Sequence, residues 1–177
     1  LRRQRPDLIL SVGSFEDDCA IAREIIAAGV RTKAFALTAA AMREFGQTLG
    51  TVAEAVLAPS QWEPDARYLV DFGPSPSRVA ERISAMGSAS DYPAAQGYAA
   101  CLIAQRCLEE AGSADDEALW RAACTLDCTT FFGRFRINPR TGIQVGHEMV
   151  WVQWQEGRKV VVWPPSVAEA RPVYPRS

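Results

Sequence analysis

Pro6-Asp7-Leu8-Ile9-Leu10-Ser11-Val12-Gly13-Ser14-Phe15-Glu16-Asp17-Asp18 is the stretch on which the fold turns. Asp7 to Gly13 is a short, mostly apolar run preceded by proline and closed by glycine, the pattern of a buried parallel strand. From Cys19 to Ala28 the period changes, and Ile21, Ile25 and Ala28 fall near one face of a helix. Ser14 is placed to cap that helix, and Glu16, Asp17 and Asp18 stand where its positive end favours negative charge. Gly29 is the expected helix stop, and Thr32 to Leu37 supplies a second strand. The result is a β-α-β unit, which takes a right-handed crossover.

Outward from this unit, Ala39 to Leu49 reads as a helix ending at Gly50, and Val52 to Leu57 as a short strand. Residues 65 to 78, with Pro74, Ser75, Pro76 and Ser77, read as loop, and Val79 to Met86 as a short helix. Tyr92 to Ala111 is the longest helical pattern, rich in small residues, and a further helix runs from Glu117 to Leu126. Phe131, Gly133, Phe135 and Ile137 alternate with Phe132, Arg134 and Arg136, a strand pattern, before the turn residues Asn138 to Gly142. Met149 to Gln155 and Lys159 to Trp163 form a β-hairpin around Glu156-Gly157-Arg158, and Ala168 to Pro175 is extended. The fold class is α/β: a three-layer sandwich with a mostly parallel, flavodoxin-like sheet, plus a C-terminal antiparallel hairpin. At the other end, Leu1-Arg2-Arg3-Gln4-Arg5 is basic, but Pro6-Asp7 interrupts it and the next apolar run is too short for a secretion signal. It reads as a helix end feeding the first strand.

Composition narrows the function. The chain has 177 residues, 48% hydrophobic and 23% charged, an ordinary globular balance for one domain or slightly more. A net charge of -2 offers no field for nucleic acid, and no apolar run approaches the ~20 residues of a membrane span. Neither nucleic-acid binding nor membrane insertion is expected. The five cysteines contain no C-x-x-C pair and read as small packed thiols. His147 is the single histidine, too little for a zinc site or a nucleophilic triad, and reads as structural. Asp17 and Asp18 are adjacent on a helix, about 100° apart, and do not converge on a metal. There is no G-x-S-x-G elbow, and only one glycine of a dinucleotide fingerprint follows the first strand. Trp151, Trp154 and Trp163 fall in the hairpin, where packing explains them. No catalytic residue, metal or cofactor is expected. Ligands of an open parallel sheet bind at the carboxyl ends of its strands, where Ser14 and Thr38 offer hydroxyls beside a helix start suited to a small anionic or polar group.

A set of motifs in order adds a family likeness. They are Pro6-Asp7-Leu8-Ile9-Leu10 with Gly13 and Gly29, Glu44-Phe45-Gly46-Gln47-Thr48-Leu49-Gly50, Pro59-Ser60-Gln61-Trp62 and Ala95-Gln96-Gly97-Tyr98-Ala99-Ala100. Thr130-Phe131-Phe132-Gly133-Arg134-Phe135, Gln153-Trp154-Gln155-Glu156-Gly157 and Val162-Trp163-Pro164-Pro165 complete the series. Together they resemble the type I periplasmic substrate-binding proteins of ABC importers, branched-chain amino acid class, and within them the C-terminal half.

The resemblance implies a receptor with no enzymatic activity that holds a small-molecule ligand between two lobes and docks on a membrane ABC permease, in a periplasmic or extracytoplasmic location. It assigns residues 1–88 to the C-terminal lobe, 89–142 to helices and a strand of the N-terminal lobe, and 143–177 to the hinge return and hairpin of the C-terminal lobe. The small-residue face around Ala95, Ala99 and Ala100 would then be exposed, its own sheet missing. Carried over residue by residue, Ser14 takes a ligand-contacting position with Phe15 beside it, and Tyr92 and Gln96 start a helix that faces the ligand. Thr38 falls where amino-acid-binding members carry an acid that pairs with the ligand ammonium. An ammonium buried without a counter-charge is costly, so the expected ligand is a small organic acid, an aromatic carboxylate, an amide or an amino acid-like molecule rather than a standard α-amino acid. The alternative is a cytoplasmic ligand-sensing regulatory domain of the same fold, to which five cysteines are suited.

Overall fold

The computed structural model describes residues 6–66, 68–87 and 92–176. The helix end expected at residues 1–5 lies outside the described residues. The chain forms two compact units, Leu1–Ser60 with Val150–Ser177, and Gln61–Met149.

The first unit is built on one five-stranded sheet. Its strands are β1 (Leu8–Ser11), β2 (Ala34–Leu37), β3 (Val56–Ser60), β6 (Val150–Gln155) and β7 (Arg158–Trp163), adjacent in that order. β1, β2 and β3 are parallel, while β6 and β7 join antiparallel as the expected hairpin. The α/β class is therefore as read. Helix α1 (Phe15–Ala27) connects β1 to β2, capped by Ser14, whose hydroxyl accepts from the Asp17 N–H.

Three local expectations are corrected. β1 is an edge strand, not a buried one: β2 is its single strand neighbour among the described residues, and Leu8 and Leu10, which share one face, are 57% and 60% exposed. The helix expected over 39–49 is a 3₁₀ turn (Thr38–Ala41) followed by α2 (Arg43–Leu49), with extended backbone at Met42 between them. The Ala40 carbonyl, which a continuous α-helix would use at residue 44, accepts instead from the Trp154 indole N–H at 2.8 Å, and the Lys159 ammonium donates to the Ala41 carbonyl. The strand expected over 52–57 is shifted to Val56–Ser60, because Gly50–Ala53 forms a second 3₁₀ turn and Ala55 turns the chain at φ 60°.

Trp154 also fixes α2. A Cβ placed on Gly46 would stand 2.1 Å from the Trp154 ring, so only glycine lets the helix approach the sheet here. The C-terminal segment lies over the same sheet without forming a strand. Gln153 ties it down, donating to the Val173 carbonyl and accepting from the Val173 N–H.

The second unit contains α3 (Pro76–Ala85), α4 (Tyr92–Ala111), α5 (Asp116–Thr125) and a small hairpin of β4 (Cys128–Thr130) and β5 (Gly133–Phe135). The alternation over 131–137, expected to be one strand, is broken into this hairpin. The chain reverses at Phe131-Phe132, and Gly133 takes φ 108°, a conformation that favours glycine.

The core of the unit gathers Trp62, Val79, Ile83, Ala95, Ala99, Leu102 and Phe131. Trp62 meets Phe131 edge-on at 5.9 Å and donates its indole N–H to the Phe131 carbonyl at 2.9 Å. Residues 61–87 cluster with the second unit, where Trp62, Val79 and Ile83 are buried. The same packing corrects one expectation. Ala95 and Ala99 are covered by the same core, and only Ala100 of that trio is exposed.

Candidate functional site

The carboxyl ends of β1 and β2 converge around a buried carboxylate. Asp18 is fully buried in the first turn of α1. One of its oxygens accepts from the Ser11 hydroxyl at 2.8 Å, and the other accepts from the Ala39 N–H at 2.9 Å. Its own N–H donates to the Ser14 carbonyl at 3.0 Å. Asp18 thus holds together the end of β1, the start of α1 and the 3₁₀ turn after β2. Reading the three acids only as partners of the helix dipole missed this role. Asp17 is exposed and fits that reading, whereas Asp18, one residue on and rotated about 100°, points inward.

Ser14 and Thr38, the two hydroxyls expected at the site, both lie at this junction. Thr38 is half-buried and donates to the Ser11 carbonyl at 3.2 Å. That bond uses its only proton, so toward a ligand Thr38 presents lone pairs. Ser14 is exposed, and its hydroxyl donates to the Asp17 carboxylate at 3.0 Å while accepting from the Asp17 N–H. Phe15, the first residue of α1, is half-buried beside it.

Tyr92 and Gln96 belong to the second unit, one turn apart on α4. Tyr92 packs against the Trp62–Phe131 core, while Gln96 is exposed and lines a cavity of about 490 Å³. Gln61, Ile103, Phe132, Arg134 and His147 also line this cavity.

His147 is half-buried in the second unit. Its ring stacks on Phe132 with centroids 4.9 Å apart, and its Nε2 is buried without a hydrogen-bond partner. Burial lowers its pKa below the usual 6.5, partly opposed by the carbonyls of Gln61 and Phe132 and by the charge of Glu148. Tyr68, distant in the chain, also comes close to Gly133, and burial, with Glu63 and Glu148 adding to it, pushes its phenol up to about 12. Sequence reasoning did not single out Tyr68.

All five cysteines are free thiols, with Cys19, Cys107 and Cys128 buried and Cys101 exposed. Burial raises the Cys128 thiol to about 11, which makes it an inert packing group. Among the described residues no cluster of His, Cys, Asp and Glu could hold a metal ion, and no helix is long and apolar enough to cross a membrane.

The periplasmic binding protein family profile matches residues 1–159, and the chain belongs to that family. The fold agrees with solved members of the class. A putative branched-chain amino acid ABC transporter protein from Silicibacter pomeroyi is 15% identical, with a TM-score of 0.79 over 99% of this chain and 48% of its own. A leucine-binding protein from Thermotoga maritima is 20% identical, with a TM-score of 0.70 over 88% of this chain and 43% of its own. A solute-binding protein of an ABC transporter from R. palustris, solved with benzoate, is 14% identical, with a TM-score of 0.68 over 96% of this chain and 46% of its own. The chain thus spans less than half the length of each. No curated protein matches it.

Proposed function

We propose that the chain is part of a solute-binding receptor of an ABC importer, and that its ligand is a small organic acid, aromatic carboxylate or amide rather than a standard amino acid. The observation that carries the ligand class is Thr38. The position that the family likeness matches to an ammonium-pairing acid holds a hydroxyl whose proton is already given to Ser11. A ligand ammonium would find lone pairs there but no counter-charge, and burying it so is costly. One solved relative is in complex with benzoate and another is described as a leucine-binding protein, and the two span the choice.

In this reading Ser14, Phe15, Thr38, Tyr92 and Gln96 contact the ligand. Asp18 positions the first set without touching the ligand. Ligand binding shifts the receptor between open and closed forms, and the closed form docks on a membrane permease from an extracytoplasmic compartment. The test is Thr38→Glu in the protein produced from its native gene, titrated calorimetrically with leucine. The reading expects no binding by the parent and gain of binding by the variant. Micromolar leucine binding by the parent overturns the ligand class.

One observation favours a second reading, a ligand-sensing regulatory domain in a reducing compartment: all five cysteines are free thiols.

A further inference from the structure

We propose that the second unit carries a further ligand site, the cavity bordered by the end of α5 and the Asn138–Gly142 turn, and that it takes a small organic dianion with an apolar body, a dicarboxylate. It shares no residue with the Ser14–Thr38 junction or with Tyr92 and Gln96, and the proposal stands whether or not the ligand class above is right.

The cavity holds about 560 Å³. Its apolar lining is Leu126, Ile137, Pro139 and Val145, of which Leu126 and Ile137 are buried. Its cations are Arg136 and Arg140, both exposed. Asp127 lines it too, but Arg134 grips both of its carboxylate oxygens, at 2.7 and 2.6 Å. This bidentate pair occupies the one acid of the lining. Arg136 feels the Asp127 charge without forming an ion pair with it, and among the described residues Arg140 pairs with no carboxylate. The cavity therefore presents two guanidinium groups beside an apolar surface.

The backbone that carries them is fixed by hydrogen bonds. The Asn138 carbonyl accepts from the Thr141 and Gly142 N–H groups, and the Asn138 N–H donates to the Ile143 carbonyl. The Asn138 side-chain oxygen accepts from the Arg140 N–H at 2.9 Å. The Arg136 N–H donates to the Gln144 side chain, and its carbonyl accepts from the Val145 N–H. Positions set before the ligand arrives lower the cost of binding it. With its side-chain oxygen engaged, Asn138 keeps its amide N–H groups as donors. Each guanidinium fork matches one carboxylate, and the apolar lining suits methylenes or a ring between the two. The C-terminal end of α5, the negative end of its dipole, faces that apolar body rather than a carboxylate.

Cys124 lines the same cavity and reports on it. The experiment follows maleimide labelling of Cys124 in the protein produced from its native gene, with adipate, hexanoate or 1,6-hexanediol at matched ionic strength. Peptide mass spectrometry reads the exposed Cys101 separately as the control. The proposal expects adipate to slow Cys124 labelling saturably, at lower concentration than hexanoate, with no effect of hexanediol and none on Cys101. Arg136→Gln and Arg140→Gln should each raise the half-protecting adipate concentration about threefold or more. No saturable protection by adipate overturns the proposal. So does protection that is unchanged in the Arg136→Gln/Arg140→Gln double variant, or protection by hexanoate or hexanediol equal to that by adipate.

Discussion

The carboxylate of Asp18 accepts the backbone N–H of Ala39 at 2.9 Å, 21 residues along the chain. The same side chain takes the Ser11 hydroxyl, so one buried side chain sets the ends of two parallel strands against each other. Replacing Asp18 with alanine leaves the Ala39 N–H without its acceptor. The expected loss is about 1.5–3 kcal/mol, the worth of hydrogen bonds to a charged group. Asp18→Asn keeps one acceptor and should cost less. Urea melts of the two variants give the order, and equal stability of Asp18→Ala and the parent contradicts it.

Gly46→Ala is a gain in helix propensity of about 1 kcal/mol in an exposed helix. Here the added methyl carbon would stand 2.1 Å from the Trp154 ring. Overpacking of that kind costs about 1–3 kcal/mol, so the net change should be destabilising. Gly46→Ala combined with Trp154→Leu should recover part of the loss, and a double-mutant cycle measures the coupling.

His147 gives stability a pH dependence. Burial depresses its folded-state pKa below 6.5, so between the folded and unfolded values the unfolded chain binds more protons. Stability of the second unit should therefore fall as pH drops from 6.5 toward the folded pKa, and level off again for this group below it. His147→Phe, which retains a ring to stack on Phe132, should flatten that part of the curve. Chemical denaturation from pH 7.5 to 5 reads the difference, and an unchanged slope in the variant contradicts the assignment.

Local chemistry made much of the fold legible in the sequence. The cap at Ser14, the stop at Gly29, the Tyr92–Ala111 helix and the hairpin around Glu156-Gly157 follow from residues near each other in the chain. What escaped depends on distant partners. An apolar run such as Leu8-Ile9-Leu10 reads as buried, but whether a strand is central or at an edge is set by its neighbours. Alternation of Phe and Arg over 131–137 marks strand but does not say where the chain reverses. The break at Met42 follows from Trp154 and Lys159, more than 100 residues away, taking carbonyls that a helix would use. At the candidate site, the hydroxyls of Ser14 and Thr38 were legible from their place after strands. The commitment of the Thr38 proton to Ser11 and the inward turn of Asp18 appear only once the strands are paired.

The proposed function is that of a receptor component whose ligand is not a standard amino acid. A thermal-shift panel on the protein produced from its native gene tests it directly, with leucine, benzoate, 4-hydroxybenzoate, dicarboxylates and short amides as probes. A ligand at 100 times its dissociation constant stabilises by about 2.7 kcal/mol, a readily visible shift. The account predicts a saturable rise in melting temperature with an acid or amide and none with leucine. A saturable rise with leucine contradicts it.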